Sequence, residues 1–308
     1  MVAASVGGSK WVGAIPSDSE KLMPIIDTHQ HLVDFKRFGK DWANPPVAGN
    51  FGIKEYEKAI EGLNIVKAVY MEVAVPAARR SEEVLYAMEL CRDPSTPTVG
   101  AIIKGDLYRD DFEDYLGRFQ GSSCIKGIRA GFRSEESILD KRVIERVRFL
   151  GKVNLSLDLI VPPSWFPNLA KLMRSCPDTR FQMDHCGNAD PRAFFKDETF
   201  GKPDHDRDEW INGMRDIARG NHVVCKISGL VSRSTGYPLS VQNIAPAIDQ
   251  CFDIFGSDRV VFASDWPWCL KGMQLSSWVS LLKDIVKDRP TEDQKKLFHK
   301  NAIRHYKI

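Results

Sequence analysis

The sequence predicts a single-domain α/β protein, a (β/α)8 TIM barrel. Three observations carry that prediction: about eight short apolar, β-rich runs, helical patterns between them, and no Gly-rich phosphate loop after the first run. Such a loop would mark the open, doubly wound alternative. In chain order the runs are PIIDTHQH (24–31), IVKAVYMEV (65–73), TVGAIIKGDL (98–107), CIKGIRAGF (124–132), NLSLDLIV (154–161), RFQMDHCG (180–187), VVCKISGL (223–230) and RVVFASDWP (259–267). They recur roughly 26 to 42 residues apart, the rhythm of successive βα units. Helical segments fall between them, among them SEEVLYAMELCRD (81–93), DKRVIERVRFLGKV (140–153) and IAPAIDQCFDIFG (244–256). In the last of these the apolar residues fall at helical spacing and Gly256 supplies a stop. No repeat, low-complexity tract or linker interrupts residues 24–308, which are read as one barrel, with residues 1–23 as an N-terminal extension.

Two connections are longer than a barrel requires, residues 33–52 after the first strand and 188–210 after the sixth. Both leave strand C-terminal ends, where barrel sites are assembled, and both mix Gly and Pro with aromatics. They are read as substrate-covering loops.

Composition excludes several classes of partner. The 308 residues are 43% hydrophobic and carry a net charge of +2, with bases and acids interspersed. That balance gives no footprint for nucleic acid or an anionic membrane, and no apolar stretch nears the ~20 residues that span a bilayer. The expected partner is a small-molecule substrate, and a homo-oligomer is compatible with the sequence. The seven cysteines include no CxxC pair and read as small buried hydrophobes in a reducing compartment. The extension, MVAASVGGSKWVGAIPSD at its start, lacks a basic n-region and a long h-region. The expected location is the cytoplasm, with export the alternative if the extension is the remainder of a trimmed leader.

The candidate chemistry lies at the strand ends. Side chains alternate along a strand, so Asp27, His29 and His31 are expected on one face, where two imidazoles can converge on one ion or substrate atom. Phe181 and Met183 alternate with His185, and Val261 and Ala263 with Asp265, which places a histidine and a carboxylate at the same barrel end. A buried carboxylate is costly without a partner, so Asp265 is expected to meet a metal, a histidine or a polarised water. Arg129, between Gly127 and Gly131, has room to reach the mouth and suits a carboxylate or an oxyanion, with an ion pair to Asp158 as the structural alternative. Glu72 and Lys226 are further inward candidates, and Trp266 and Trp268 are read as packing or pocket wall. No GxSxG elbow is present.

Together IIDTHQH, DHCG, KISG and SDWP, with the closing KKLFHKNAIRHYKI, resemble the amidohydrolase superfamily. More narrowly they resemble its amidohydrolase-2 branch, which contains sugar-acid and pyrone dicarboxylate lactonases. The resemblance covers roughly residues 24 to 308 and implies a (β/α)8 barrel, hydrolysis at the strand C-termini and functional roles for His29, His31, His185 and Asp265. Superfamily members with two metals use a lysine on strand four and a histidine on strand five, where this chain offers Arg129 and Asp158. What remains is one divalent ion, zinc first, on His29, His31 and Asp265, joined by His185 or Glu72, or catalysis without a metal. The expected reaction is attack of water on a cyclic ester, with Asp265 as general base and Arg129 and His185 polarising the carbonyl. Arg129, Lys226 and Trp266 are the expected substrate contacts, with Arg133 in support. The alternatives are a metal-dependent decarboxylase of a small unsaturated carboxylic acid and a non-catalytic barrel that binds a sugar acid.

Overall fold

The computed structural model describes residues 23–39, 49–119, 121–195, 200–233 and 237–308. The extension through residue 22, and residues 40–48 and 196–199 of the two expected covering loops, lie outside the described residues.

Each of the eight expected runs contains a strand: β1 (Ile25–Gln30), β2 (Ile65–Met71), β3 (Thr98–Lys104), β4 (Ile125–Arg129), β5 (Ser156–Leu159), β6 (Arg180–Met183), β7 (Val223–Ile227) and β8 (Val260–Phe262). Neighbours pair in parallel in chain order. The sheet returns on itself where Gln30 bridges Trp266 and the His31 N–H donates to the Trp266 carbonyl at 2.8 Å. These strands are buried on both faces, as helix-covered parallel sheets require.

Helices α1 (Ile53–Ala59), α2 (Arg80–Arg92), α3 (Phe112–Gly117), α4 (Lys141–Lys152), α5 (Phe166–Ser175), α6 (Arg207–Ala218) and α7 (Val241–Phe255) separate the strands, and α8 (Leu275–Val286) and α9 (Asn301–Tyr306) follow β8. Their apolar stripes explain the packing. In α4, Val143, Val147 and Leu150 recur at helical spacing and are buried. Gly256 ends α7 as expected: at φ +69° its N–H bonds back to the Phe252 carbonyl at 2.8 Å.

Two apolar clusters result. The larger fills the layer between sheet and helices and contains Phe181 and Met183. The smaller joins Ile26, Val69, Met71 and Ile102 to Ala302 and Tyr306 at α9. Among the described residues, no helix is long and apolar enough to cross a membrane.

One cysteine expectation is corrected. The end of α2 and the start of β4 bring Cys91 and Cys124 to a Cα separation of 6.0 Å, and the two form a disulfide. Cys176, Cys186, Cys225, Cys251 and Cys269 are free and buried, as small hydrophobes are expected to be.

Candidate active site

The strands stop short of the residues that matter. β6 ends at Met183 and β8 at Phe262, because His185 (φ +56°), Cys186 (φ +51°) and Asp265 (φ +55°) take the left-handed conformation that no strand continues. Non-glycine residues held there cost of order 1–3 kcal/mol each and cluster where function over-determines the backbone. The alternation expected for the sixth run is thereby corrected. Phe181 and Met183 face the helix layer, while His185 reaches the barrel mouth from the turn after the strand. Gly229 makes room for it: a Cβ there would come within 2.4 Å of the His185 Cβ.

β1 departs in a similar way. Its register shifts between Asp27 and Gln30, so Asp27 does not join the two histidines. Its carboxylate accepts from the Tyr56 hydroxyl at 2.7 Å and from the Ser264 N–H at 2.9 Å, fastening β1 to the chain after β8. His29 and His31 converge instead, with their Nε2 atoms 3.0 Å apart. Asp265 Oδ1 lies 3.8 Å from each, and His185 Nε2 lies 3.9 Å from the same oxygen. His185 Nδ1 pairs with the Ser228 hydroxyl at 2.9 Å, and Ser232 donates to Asp265 Oδ2 at 3.2 Å.

Behind this group stands a buried ionic layer. Lys226 contacts Asp158 directly, lies 3.0 Å from Asp184 and 3.3 Å from His29 Nδ1, and all four residues are fully buried. Burial alone would neutralise Lys226, but Asp158 and Asp184 overcome it and raise its pKa. Burial also works against the Asp184 carboxylate, yet Lys226 and His29 hold it well below the usual range. For Asp158 burial wins, and its carboxyl is raised to about 6. Burial, then Lys226, pushes the His29 pKa well below its ordinary value; burial, then Arg129, does the same to His31. Both imidazoles are therefore neutral. The Asp265 carboxyl is raised by burial against the pull of His185 and Arg129.

Among the described residues, two donor groups could hold a metal ion: His29, His31 and Asp265, and His29, Asp184 and His185. Two ligands each ~2.0–2.1 Å from one tetrahedral zinc lie about 3.4 Å apart. The first group, at 3.0, 3.8 and 3.8 Å, straddles that value with two neutral imidazoles and a carboxylate. Glu72, also expected as a ligand, is in neither group. Its carboxylate is taken by Arg129 Nε at 2.7 Å, the Ala74 N–H at 2.7 Å and Lys104 at 3.4 Å. This pairing also answers the Arg129 alternative: its partner is Glu72, and Asp158 goes to Lys226.

A cavity of about 290 Å³ opens over the group, lined by His31, Arg129, His185, Asp265, Trp268 and Arg233, among others. Of the expected substrate contacts, Arg129 lines this cavity, whereas Lys226, Trp266 and Arg133 are not among the residues lining it. Lys226 is sealed beneath the site by its carboxylates. Trp266 turns inward onto Phe51 and Tyr56, with ring centroids 5.6 and 5.3 Å away, and Trp268 takes the wall position 4.8 Å from the His31 ring. Arg133 lies over the Tyr108 ring at 4.1 Å. Sequence reasoning missed Asp184, whose signal was its place beside His185, and Arg233, which donates to Asn188 Oδ1 at 2.6 Å and to Asp204.

A family model described as amidohydrolase matches residues 26–308. The L-fucono-1,5-lactonase of Burkholderia multivorans is 24% identical over 276 residues, covering 86% of this chain and 89% of that protein. A Burkholderia multivorans amidohydrolase crystallised with bound zinc superposes with a TM-score of 0.77 at 21% identity, over 92% of this chain and 99% of that one. A probable 2-pyrone-4,6-dicarboxylic acid hydrolase from Acinetobacter baumannii, with citric acid bound, superposes at 0.72 and 16% identity, over 93% and 100% of the two chains.

Proposed function

Because the chain belongs to the amidohydrolase family, we propose that it hydrolyses a cyclic ester, the lactone of a sugar acid or a related carboxylated acid. The observation that carries this is the convergence of His29, His31 and Asp265 at the foot of a cavity that Arg129 also lines. Similarity to the lactonase of Burkholderia multivorans supports the substrate class.

The lactone sits in the cavity with its carbonyl toward Arg129 and His185. Arg129, pinned through Nε by the Glu72 carboxylate and through Nη2 by the Glu72 carbonyl at 3.3 Å, offers its Nη1 N–H groups to the carbonyl oxygen, where negative charge develops. His185 accepts the Ser228 hydroxyl at Nδ1 and donates from Nε2 to the same oxygen. Asp265 takes the proton of the attacking water on Oδ2, while Oδ1 faces the imidazoles. Its raised pKa strengthens it as a base. The proton passes to the departing ring oxygen, and the ring opens to a hydroxy acid. His29, His31 and Asp265 are the residues that would hold a divalent ion, zinc being the first choice, and such an ion supplies a Lewis acid at the carbonyl or the water.

Asp265→Asn is expected to lower kcat on a sugar lactone by about 10² to 10⁴, and near-normal turnover would overturn the assignment. Metal content of the purified protein, measured beside lactone turnover before and after chelation, tests the electrophile. The expected result is one ion per chain, lost together with activity. Failure to turn over any lactone of a varied panel, with and without added divalent metal, rejects the proposed reaction.

A further inference from the structure

A second cavity, of about 260 Å³, lies at the opposite end of the barrel, where Lys126 of β4, Arg180 of β6 and Lys307 after α9 meet. Its walls are largely apolar, with Leu116, Phe119, Phe149 and Val153 among them. The cations are bonded, but to neutral acceptors. Lys126 donates to the Lys307 carbonyl at 3.1 Å, Arg180 to the carbonyls of His305 and, at 2.8 Å, Asn154, and Lys307 to the Asn154 side chain at 3.1 Å. Among the described residues none of the three has a carboxylate partner within ion-pair distance. Glu113, which also lines the cavity, is exposed and makes no ion pair with them.

Three cations gathered beside an apolar surface are costly to assemble: burial lowers the Arg180 pKa even against the pull of Tyr306 and Asp158. Burial, then Arg180, Lys307 and Lys67, lowers the Lys126 pKa, so the groups acting on it are all cationic. A ligand that brings one negative charge and an apolar body relieves both the repulsion and the exposed wall. We propose that this cavity is a binding site for a small amphiphilic carboxylate, with its head between Lys126, Arg180 and Lys307 and its tail against Phe119, Phe149 and Val153. Tyr306 lines the same cavity while its ring reaches the electrostatic surroundings of Lys226 and Asp158. A ligand here therefore touches a residue packed beneath the ionic layer of the active site.

Calorimetric titration of the full chain with octanoate, octylammonium and octanol tests the proposal. Octanoate is expected to bind at least tenfold more tightly than either of the others. Lys126→Ala is expected to weaken octanoate by about tenfold, and Val153→Trp, which fills the cavity, to abolish binding. Both variants are checked by their thermal midpoint and by turnover on the best lactone. If Val153→Trp does not fold, the Lys126→Ala result alone stands as the test. Absence of octanoate binding, equal binding of octylammonium, or octanoate binding unchanged in the folded variants would each overturn it.

Discussion

The barrel interior has two halves of opposite character. Towards α9, Ile26, Val69, Met71 and Ile102 form a dry apolar plug with Tyr306. Towards the mouth, in equally complete burial, stand Lys226, Asp158, Asp184 and His29. The apolar half lowers the free energy of folding residue by residue, each side chain by what it removes from water. In the ionic half every charge loses its hydration, and only the full set compensates it. A set of that kind adds little stability for its size. What it supplies is a fixed charge behind His29: burial first, then Lys226, lowers the imidazole pKa, while Lys226 and Asp184 sit behind its Nδ1 and Asp265 lies beyond its Nε2.

Lys226→Met carries the largest expected effect. Two buried carboxylates would lose their cation, and a loss of about 3–5 kcal/mol is expected in urea denaturation. Adding Asp158→Asn and Asp184→Asn to that variant should recover a large part of the loss, because no unpaired charge then remains. If Lys226→Met alone costs less than about 1 kcal/mol, the layer does not behave as a set. Lactone turnover should stay low in the triple variant despite its recovered stability, since His29 has then lost both its neighbours' charge and its orientation.

The two halves were unequally legible in the sequence. The eight strands and the helices between them follow from short-range apolar periodicity, and each expected run holds its strand. Likewise His29, His31, His185 and Asp265 could be found as polar groups closing apolar runs, and the structure brings them together. The ionic layer could not be paired in advance. Lys226 meets Asp158 across 68 positions of sequence, and Asp184 turns inward because the sixth run alternates in the opposite phase to the one expected, with Phe181 and Met183 toward the helices. The left-handed turns at His185 and Asp265 are imposed by tertiary contacts and have no glycine to announce them. The Cys91–Cys124 pair, 33 residues apart, depends on which helix end meets which strand start, a matter of barrel closure.

Outside the barrel stands a buried acid with no ion pair among the described residues, Glu83. Glu83 accepts from the Val73 N–H at 2.6 Å and from the Tyr70 hydroxyl at 3.1 Å. Burial, reinforced by Glu72, raises its carboxyl to about 7 from an ordinary 4.5. In this window the folded protein keeps a proton that the unfolded chain has released, so stability falls as pH rises from 4.5 to 7. Glu83→Gln removes that contribution, so the stability of the variant relative to the parent should rise across the window. The limiting slope is about 1.4 kcal/mol per pH unit for one proton. Urea midpoints of both proteins at three pH values would show it, and a constant difference would mean that Glu83 is ionised in the fold throughout. The same reasoning applies to Asp265 with a kinetic readout. As its raised carboxyl takes up a proton on acidification, kcat/KM should fall at a pH above that of an ordinary aspartate.

The smallest expected effect tests the apolar half. Ile102 is fully buried among Ile26, Val69 and Met71, and Ile102→Val deletes one methylene from that plug. The loss should be about 0.5–1.5 kcal/mol. No titratable group changes its surroundings enough to matter, so the loss should be the same at every pH and kcat and KM should stay as they are. A change in the acid limb of the rate profile would mean that the plug tunes the ionic layer above it. With that limb unmoved, the apolar half serves as foundation alone, and control of protons at the mouth rests with the charges around Lys226.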